Sequence, residues 1–197
     1  MNMANDKIIE LLKSEPNEIY LVGGVVRDVF LNRKNYDKDI IVCDEDAKTF
    51  ATRFAQKHGG TCVTLDEVNN IYRVCMNDKV NYIDITNPIN NSLEEDIKRR
   101  DLTINAVAMN IKTEEIIDLV GGLDDIKNGI IRAISEENFI DDPLRILRAF
   151  RFASTTGFDL SEEVKTCIEK YKHLLFTPAK ERINYELMKL FGGGGKC

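Results

Sequence analysis

Long apolar runs, paired cysteines and clustered histidines are all missing from this 197-residue chain. No stretch approaches the ~20 apolar residues that a membrane helix needs, so no membrane-embedded protein is expected. The opening residues, MNMANDKIIELLKSE, are charged and amphipathic, which argues against a secretory signal. The five cysteines (Cys43, Cys62, Cys75, Cys167 and Cys197) form no CxxC pair, and His58 and His173 are the only histidines beside them. That ligand supply does not suit a structural zinc site. An odd number of unpaired cysteines fits the reduced thiols of a cytoplasmic protein, most of them serving as small core hydrophobes. With two histidines and no GxSxG, serine-hydrolase chemistry is not expected either. The terminal GGGGKC is no P-loop, because no glycine stands six residues before Lys196 and no Ser or Thr follows it. It has linker composition and reads as a natural stop after a shortened helix or as an artificial scar. Internal repeats are absent.

What is present is an ordinary globular composition, with 43% hydrophobic and 30% charged residues. The length suits one domain, or one with a small appendage, and a core that needs no staples. The net charge of −6 argues against a general nucleic-acid coat protein. Its distribution is uneven. Residues 1–144 hold 17 Lys/Arg against 27 Asp/Glu, a net −10, whereas residues 145–197 hold 10 against 6, a net +4. This is either a fluctuation among solvated faces or a metal-binding front joined to an anion-binding rear.

Periodicity predicts a short helix over 4–13, a strand over 18–22 ended by Gly23 and Gly24, and a helix over 25–32. A strand over 37–43 follows the loop NRKNY. A helix over 45–58 is closed by Gly59 and Gly60. Strands are expected at 61–65, 71–76, 79–85, 105–110 and 115–119, with Ser92 and Glu95 forming a capping box between them. Beyond about residue 134 the β character stops. Helices are then expected from Pro143 to about Thr156, from the cap Ser161 to 171, and from Thr177–Pro178 to Phe191.

Four blocks carry chemistry. In Asp37-Lys38-Asp39 at the start of a strand, the two carboxylates share one face. They repel unless a cation sits between them, and their hard oxygens suit Mg²⁺. A lone DxD is more often solvated surface, but this one abuts the apolar run Ile40-Ile41-Val42. Gly23-Gly24-Val25-Val26-Arg27-Asp28 places two glycines between a strand and a helix. That is either a tight turn or the outline of a phosphate cradle, with Arg27 on a phosphate oxygen. Lys98-Arg99-Arg100-Asp101 opens a stretch running through Asn105 that reads as a charged helix end or as a contact for triphosphate and ribose. In Asp141-Asp142-Pro143-Leu144-Arg145, continued by Arg148 and Arg151, three arginines fall within about 120° of one helical face. A polyanion or carboxylates must compensate them. Leu147 and Phe150 are expected to face a core, and Asp142 to cap the helix before Pro143.

In this order, GGxVRD, DxD, RRDxTxNA and DDPLRxLRAxRFA, with the later Glu181-Arg182-Ile183-Asn184-Tyr185-Glu186-Leu187 as ERxxxEL, the chain resembles a known family. It is that of the class II tRNA nucleotidyltransferases and bacterial poly(A) polymerases, within the DNA polymerase β-like nucleotidyltransferase superfamily. The resemblance runs from about Ile19 to Phe191. It implies an α+β fold: a nucleotidyltransferase head with a mixed sheet and flanking helices (1–135), a helical neck (136–191) and a Gly-rich tail (192–197). The chain stops near the end of the neck, whereas the family commonly continues into helical regions that grip tRNA.

Residue by residue, the resemblance implies that Asp37 and Asp39 are catalytic metal ligands and that Gly24 and Arg27 contact the triphosphate. Arg100, Asp101 and Asn105 would lie at triphosphate and sugar. Asp142 and Arg145 would read the base, with Arg148 and Arg151 beside them. A third carboxylate is usual, with Asp84 in YIDIT as the candidate and Asp101 as its rival. The implied reaction adds C and A from CTP and ATP to the 3′ end of tRNA, or of another RNA, by two-metal phosphoryl transfer with Mg²⁺ or Mn²⁺ and release of pyrophosphate. Poly(A) polymerase, CC-only or A-only addition, and a nucleotide-binding fragment without turnover are the alternatives. The base-reading role is chemically sound. Cytosine and adenine each present an amino donor beside a ring-nitrogen acceptor, which an Asp/Arg pair complements, and guanine and uracil present the reverse.

Overall fold

Strand-length apolar segments in the front of the chain build one mixed sheet. The computed structural model describes residues 6–33, 35, 37–78 and 80–192. They form two compact units, one running up to Ile97 and taking in Val107–Leu119, the other comprising Lys98–Ala106 and the chain from Val120 onward. The division expected at 135/136 falls inside the second unit.

The first unit contains α1 (Lys7–Lys13), β1 (Ile19–Val22), α2 (Gly24–Phe30), β2 (Lys38–Val42), α3 (Ala47–His58), β3 (Gly60–Asp66), β4 (Ile71–Met76) and β5 (Tyr82–Thr86). After α4 (Leu93–Lys98), at whose end the boundary falls, come β6 (Val107–Asn110) and β7 (Ile116–Asp118). The strand order is β3-β4-β5-β2-β1-β6-β7. Only β2 and β5 pair in parallel; the other neighbours are antiparallel. The sheet is mixed, as expected. All four residues of β1 are buried, and Ile40, Ile41 and Val42 of β2 are fully enclosed. Helix α3 packs on β3 and β4 through Phe50, Ala51, Phe54 and Ala55, the i, i+1, i+4, i+5 stripe of an amphipathic helix. Each of its two phenylalanines is worth about 1.5–3 kcal/mol of burial. Asp46 caps α3 by accepting from Thr49 N–H, and Gly59 ends it at φ 71°, a left-handed conformation that costs glycine nothing.

Several boundaries shift. The first helix was expected from residue 4, but residues 4 and 5 lie outside the described chain, and Asp6 caps α1 by accepting from Ile8 and Ile9 N–H. The strand expected over 79–85 begins at Tyr82, and residue 79 lies outside the described residues. The strand expected from 105 begins at Val107, because Thr103–Asn105 make a 3₁₀ turn. Ser92 accepts from Glu95 N–H, but the Glu95 carboxylate takes the Asn90 amide, so only half of the capping box forms.

The second unit holds α5 (Gly122–Asn128), β8 (Ile130–Ile131), α6 (Glu137–Asp141), α7 (Leu144–Thr156), β9 (Asp159–Leu160), α8 (Glu162–Tyr171) and α9 (Lys180–Gly192). Residues 193–197 of the Gly-rich tail lie outside the described chain. The expectation that β structure ends near 134 is corrected: β9 pairs in parallel with β8, a two-residue match too short to leave a periodic signal. Ser161 caps α8 as expected, accepting from Val164 N–H. Helix α7 buries Leu144, Ile146, Ala149 and Phe152. Phe150, expected in the core, is 40% exposed, and Leu147 is half-buried. The reason is that α9 packs on the arginine side of α7 and supplies the carboxylate that makes this side buriable. No helix among the described residues is long and apolar enough to cross a membrane.

Candidate active site

In the first unit, Asp37, one residue before the start of β2, and Asp39 within it are both exposed, while Lys38 between them points into the interior. Buried Lys38 is matched by Asp6, with Nζ 2.9 Å from Oδ2. The parallel register sets Asp39 opposite Asp84 on β5, and the antiparallel register sets Arg73 on β4 opposite Asp84 from the other side. Arg73 grips both Asp84 oxygens, with Nε and Nη2 each donating at 2.7 Å. Its guanidinium lies 4.1 Å from the centroid of the Tyr82 ring. Tyr82 Oη donates to Asp37 Oδ1. That bond, aided by burial, pushes the phenol up to about 12. Among the described residues, no three His, Cys, Asp or Glu side chains form a group able to hold a metal ion. Asp37 and Asp39 are thus a same-face carboxylate pair, with Asp84 in register and held by Arg73.

At the β1–α2 turn, Gly23 adopts φ 74°, ψ −140°, a region open to glycine. A Cβ on Gly24 would lie 3.4 Å from both Arg27 Nη2 and Asn35 Nδ2. Arg27 is buried and donates through Nε to Asp28 Oδ1 at 2.9 Å, while Asn35 Nδ2 donates to Asp28 Oδ2 at 2.6 Å. The guanidinium is therefore oriented by its own neighbour.

The second unit gathers the remaining expected residues. Asp101 accepts from Leu102 N–H at 2.8 Å, from Asn105 Nδ2 at 3.4 Å and from Arg148 Nε at 2.6 Å. Burial alone would raise this carboxyl, but the Arg148 charge and these hydrogen bonds outweigh it and hold it below the usual carboxylate range. Arg100 Nη1 reaches the Asn105 carbonyl at 3.5 Å, and Asn138 Nδ2 donates to the Arg100 carbonyl at 2.8 Å. On α7, Arg151 Nε donates to Glu186 Oε2 at 3.0 Å, and Arg148 Nη1 lies 3.7 Å from Glu186 Oε1. So Asp101 and Glu186 compensate the arginine row. Asp142, expected to cap α7, lies one residue before its N-cap Pro143; it accepts from Leu144 N–H at 3.3 Å and from Arg182 Nη2 at 3.0 Å. Arg145 Nη2 donates to the Arg99 carbonyl at 3.1 Å. Its Nη1 is buried with no hydrogen-bond partner among the described residues.

Sequence reasoning assigned no role to Asp28, Asn35, Arg73, Tyr82, Asn138, Arg182 or Glu186. Arg182 and Glu186 carried a signal, since both stand in the ERxxxEL block. Arg73 and Tyr82 carried none, because only strand register brings them to Asp84 and Asp37.

A family described as the poly A polymerase head domain matches residues 19–132. The CCA-adding enzyme of Ligilactobacillus salivarius is 40% identical over 94% of this chain and 48% of its own length. That of Bacillus cytotoxicus is 40% identical over 94% of this chain and 49% of its own. Among solved structures, the Thermotoga maritima CCA-adding enzyme complexed with tRNA superposes with a TM-score of 0.85 at 31% identity, over 94% of this chain and 47% of that one. A CCA-adding enzyme with CTP gives a TM-score of 0.85 at 32% identity, over 95% and 47%. The chain spans about half the length of the curated relatives it matches. With the matched segment covering the whole seven-stranded sheet, the chain belongs to the poly(A) polymerase head-domain family.

Proposed function

We propose that this chain is the nucleotide-selecting and catalytic part of a template-independent RNA nucleotidyltransferase that adds C and A to the 3′ end of tRNA in the cytoplasm. The observation that carries the reading is the start of α7. Asp142 is an anchored acceptor there, and one turn on, Arg145 holds a buried donor with no acceptor among the described residues. A base presenting an amino group beside a ring nitrogen can donate to a further lone pair of Asp142 and supply the acceptor for Arg145, which fits cytosine and adenine and rejects guanine and uracil. Discrimination of this kind is strong because the wrong base leaves a buried polar group unpaired.

The first unit supplies the complementary chemistry. Asp37 and Asp39 would hold Mg²⁺ or Mn²⁺: two exposed hard-oxygen donors on one strand face suit such an ion, and Asp84 stands beside them as the third carboxylate. When bound, the metal activates the RNA hydroxyl and neutralises the triphosphate. Arg27, pre-oriented by Asp28, and the close-approach turn at Gly24 would contact the triphosphate. Arg100, Asp101 and Asn105 would position triphosphate and sugar. Asp101 is ionised and tied to Arg148, which suits it to accept from a ribose hydroxyl. Cys43, Cys62, Cys75 and Cys167 are free thiols, in keeping with a reducing compartment.

The test is incorporation of labelled CTP and ATP, with Mg²⁺, into tRNA lacking its CCA end, resolved at single-nucleotide length. Addition that stops at CCA is the expected result. A long A tail, or a stop after CC or after A, identifies one of the alternative specificities. Nucleotide binding with no addition identifies a part that needs further RNA-gripping sequence, in keeping with a span of about half the relatives' length.

A further inference from the structure

The carboxylate face carries its own cation. Asp39 and Asp84 are register partners on parallel neighbours, so two like charges stand side by side on one face, an arrangement that is destabilising unless offset. Arg73 approaches Asp84 from β4 and grips both of its oxygens at 2.7 Å. A bidentate guanidinium of this kind takes one lone pair on each oxygen and sets a positive charge beside the carboxylate, so that it competes with a metal there. Arg73 is itself seated on the Tyr82 ring at 4.1 Å, and Tyr82 donates to Asp37. A continuous chain of contacts, Asp84–Arg73–Tyr82–Asp37, therefore links the third carboxylate to the first.

Resting on the metal-binding reading of Asp37 and Asp39, we propose that Arg73 is a positioning residue that acts as a resident cation: braced by Tyr82, it withholds Asp84 from the divalent ion and thereby sets the affinity of the site. The ion is then held by Asp37 and Asp39, and Asp84 is recruited only when the Arg73 grip opens.

The experiment is Mn²⁺ binding to the protein without RNA or nucleotide, read from the electron paramagnetic resonance signal of free Mn²⁺, with thermal melting as a fold control. Arg73→Met removes the charge and keeps the stem, so Mn²⁺ should bind about fivefold more tightly, on the scale expected for groups in direct contact. Arg73→Lys, which keeps a cation, should stay near the wild-type affinity. Asp84→Asn alone should change little, and in combination with Arg73→Met it should abolish the gain. A purely structural role for Arg73 would instead weaken binding as the strands loosen. Unchanged or weaker Mn²⁺ binding in a folded Arg73→Met protein overturns the inference alone, as does an Asp84→Asn loss as large as that of Asp39→Asn. Should Arg73→Met fail to fold, the Asp84→Asn and Arg73→Lys measurements decide by the same criteria. A wild-type protein that binds no Mn²⁺ overturns the carboxylate reading itself, and this inference with it.

Discussion

The face of β2 and the face of α7 both crowd like charges, and they settle the repulsion in opposite ways. At the start of β2, Asp37 and Asp39 stay exposed; a phenol donates to Asp37, and the arginine of β4 holds Asp84, the register partner of Asp39. On α7, Arg148 and Arg151 are tied to two buried carboxylates, Asp101 and Glu186, drawn from other segments of the same unit. Charges that stay exposed can accept an external ion at little structural cost. Charges that are buried and paired are part of the fold, because removing one partner strands the other in a low dielectric. On the function proposed above, the first region binds and the second holds still. Arg145, next in the same arginine row, is the exception that keeps a donor in reserve.

That contrast is most exposed to test in the carboxylate pair. Asp37→Ala or Asp39→Ala should reduce nucleotide incorporation at least about ten-thousandfold, several kcal/mol of lost charge stabilisation, while thermal melting moves little. A large fall in melting temperature in either variant would mean that β2 also depends on its charges for folding. Glu186→Gln reverses the pattern. Glu186 is 6% exposed and serves both Arg148 and Arg151, so its neutralisation should cost about 3–5 kcal/mol in urea unfolding. A stability loss no greater than that of Asp39→Ala would break the comparison.

A third prediction locates a region of the first unit that follows the rule of the second. Glu15 is buried and accepts from Arg53 at 2.6 Å, Lys57 at 2.9 Å and His58 at 2.9 Å. Burial alone would raise this carboxyl, but the bonds to His58, Lys57 and Arg53 outweigh it and bring it from 4.5 to about 2. A folded-state value below the unfolded one adds stability that is fully present above pH ~4.5 and is lost as pH falls toward ~2. The contribution is about 3 kcal/mol. Acid unfolding of the wild type should show this slope, and Glu15→Gln should flatten it. A slope that survives the substitution would move the acid-labile site elsewhere.

Much of this was legible in the sequence where the signal is local. Short apolar segments gave the strands of the first unit, and the ordered motifs gave the family. Asp37, Asp39 and the arginine row stood out because fixed spacing on one element puts them on one face. What stayed hidden depends on pairing between elements. Arg73 meets Asp84 only through antiparallel register, and Tyr82 meets Asp37 only because β2 and β5 run in parallel. The face of α7 was misjudged for the same reason. Leu147 and Phe150 are the apolar choice for burial, but Glu186, 35 residues beyond Arg151, neutralises the arginine side and lets α9 cover it. Strand β9 escaped because two residues carry no period.

The smallest effect separates two arginines one turn apart on α7. Arg148 is joined to buried Asp101, and Arg148→Ala should destabilise the fold by leaving that carboxylate unpaired. Among the described residues, removing Arg145 releases the Arg99 carbonyl, so Arg145→Ala should leave urea unfolding within about 1 kcal/mol of wild type. Its cost should appear in base choice. With the donor gone, the ring nitrogen of cytosine or adenine loses its partner, and the penalty against the N–H of guanine and uracil disappears with it. The preference for CTP and ATP over GTP and UTP, measured as a ratio of kcat/KM values, should fall about tenfold to a hundredfold. Strict C and A selection in a folded Arg145→Ala protein would assign base reading to another part of the chain and leave α7 a purely structural helix. A relaxed preference at unchanged stability would make Arg145 the one member of the row reserved for the substrate.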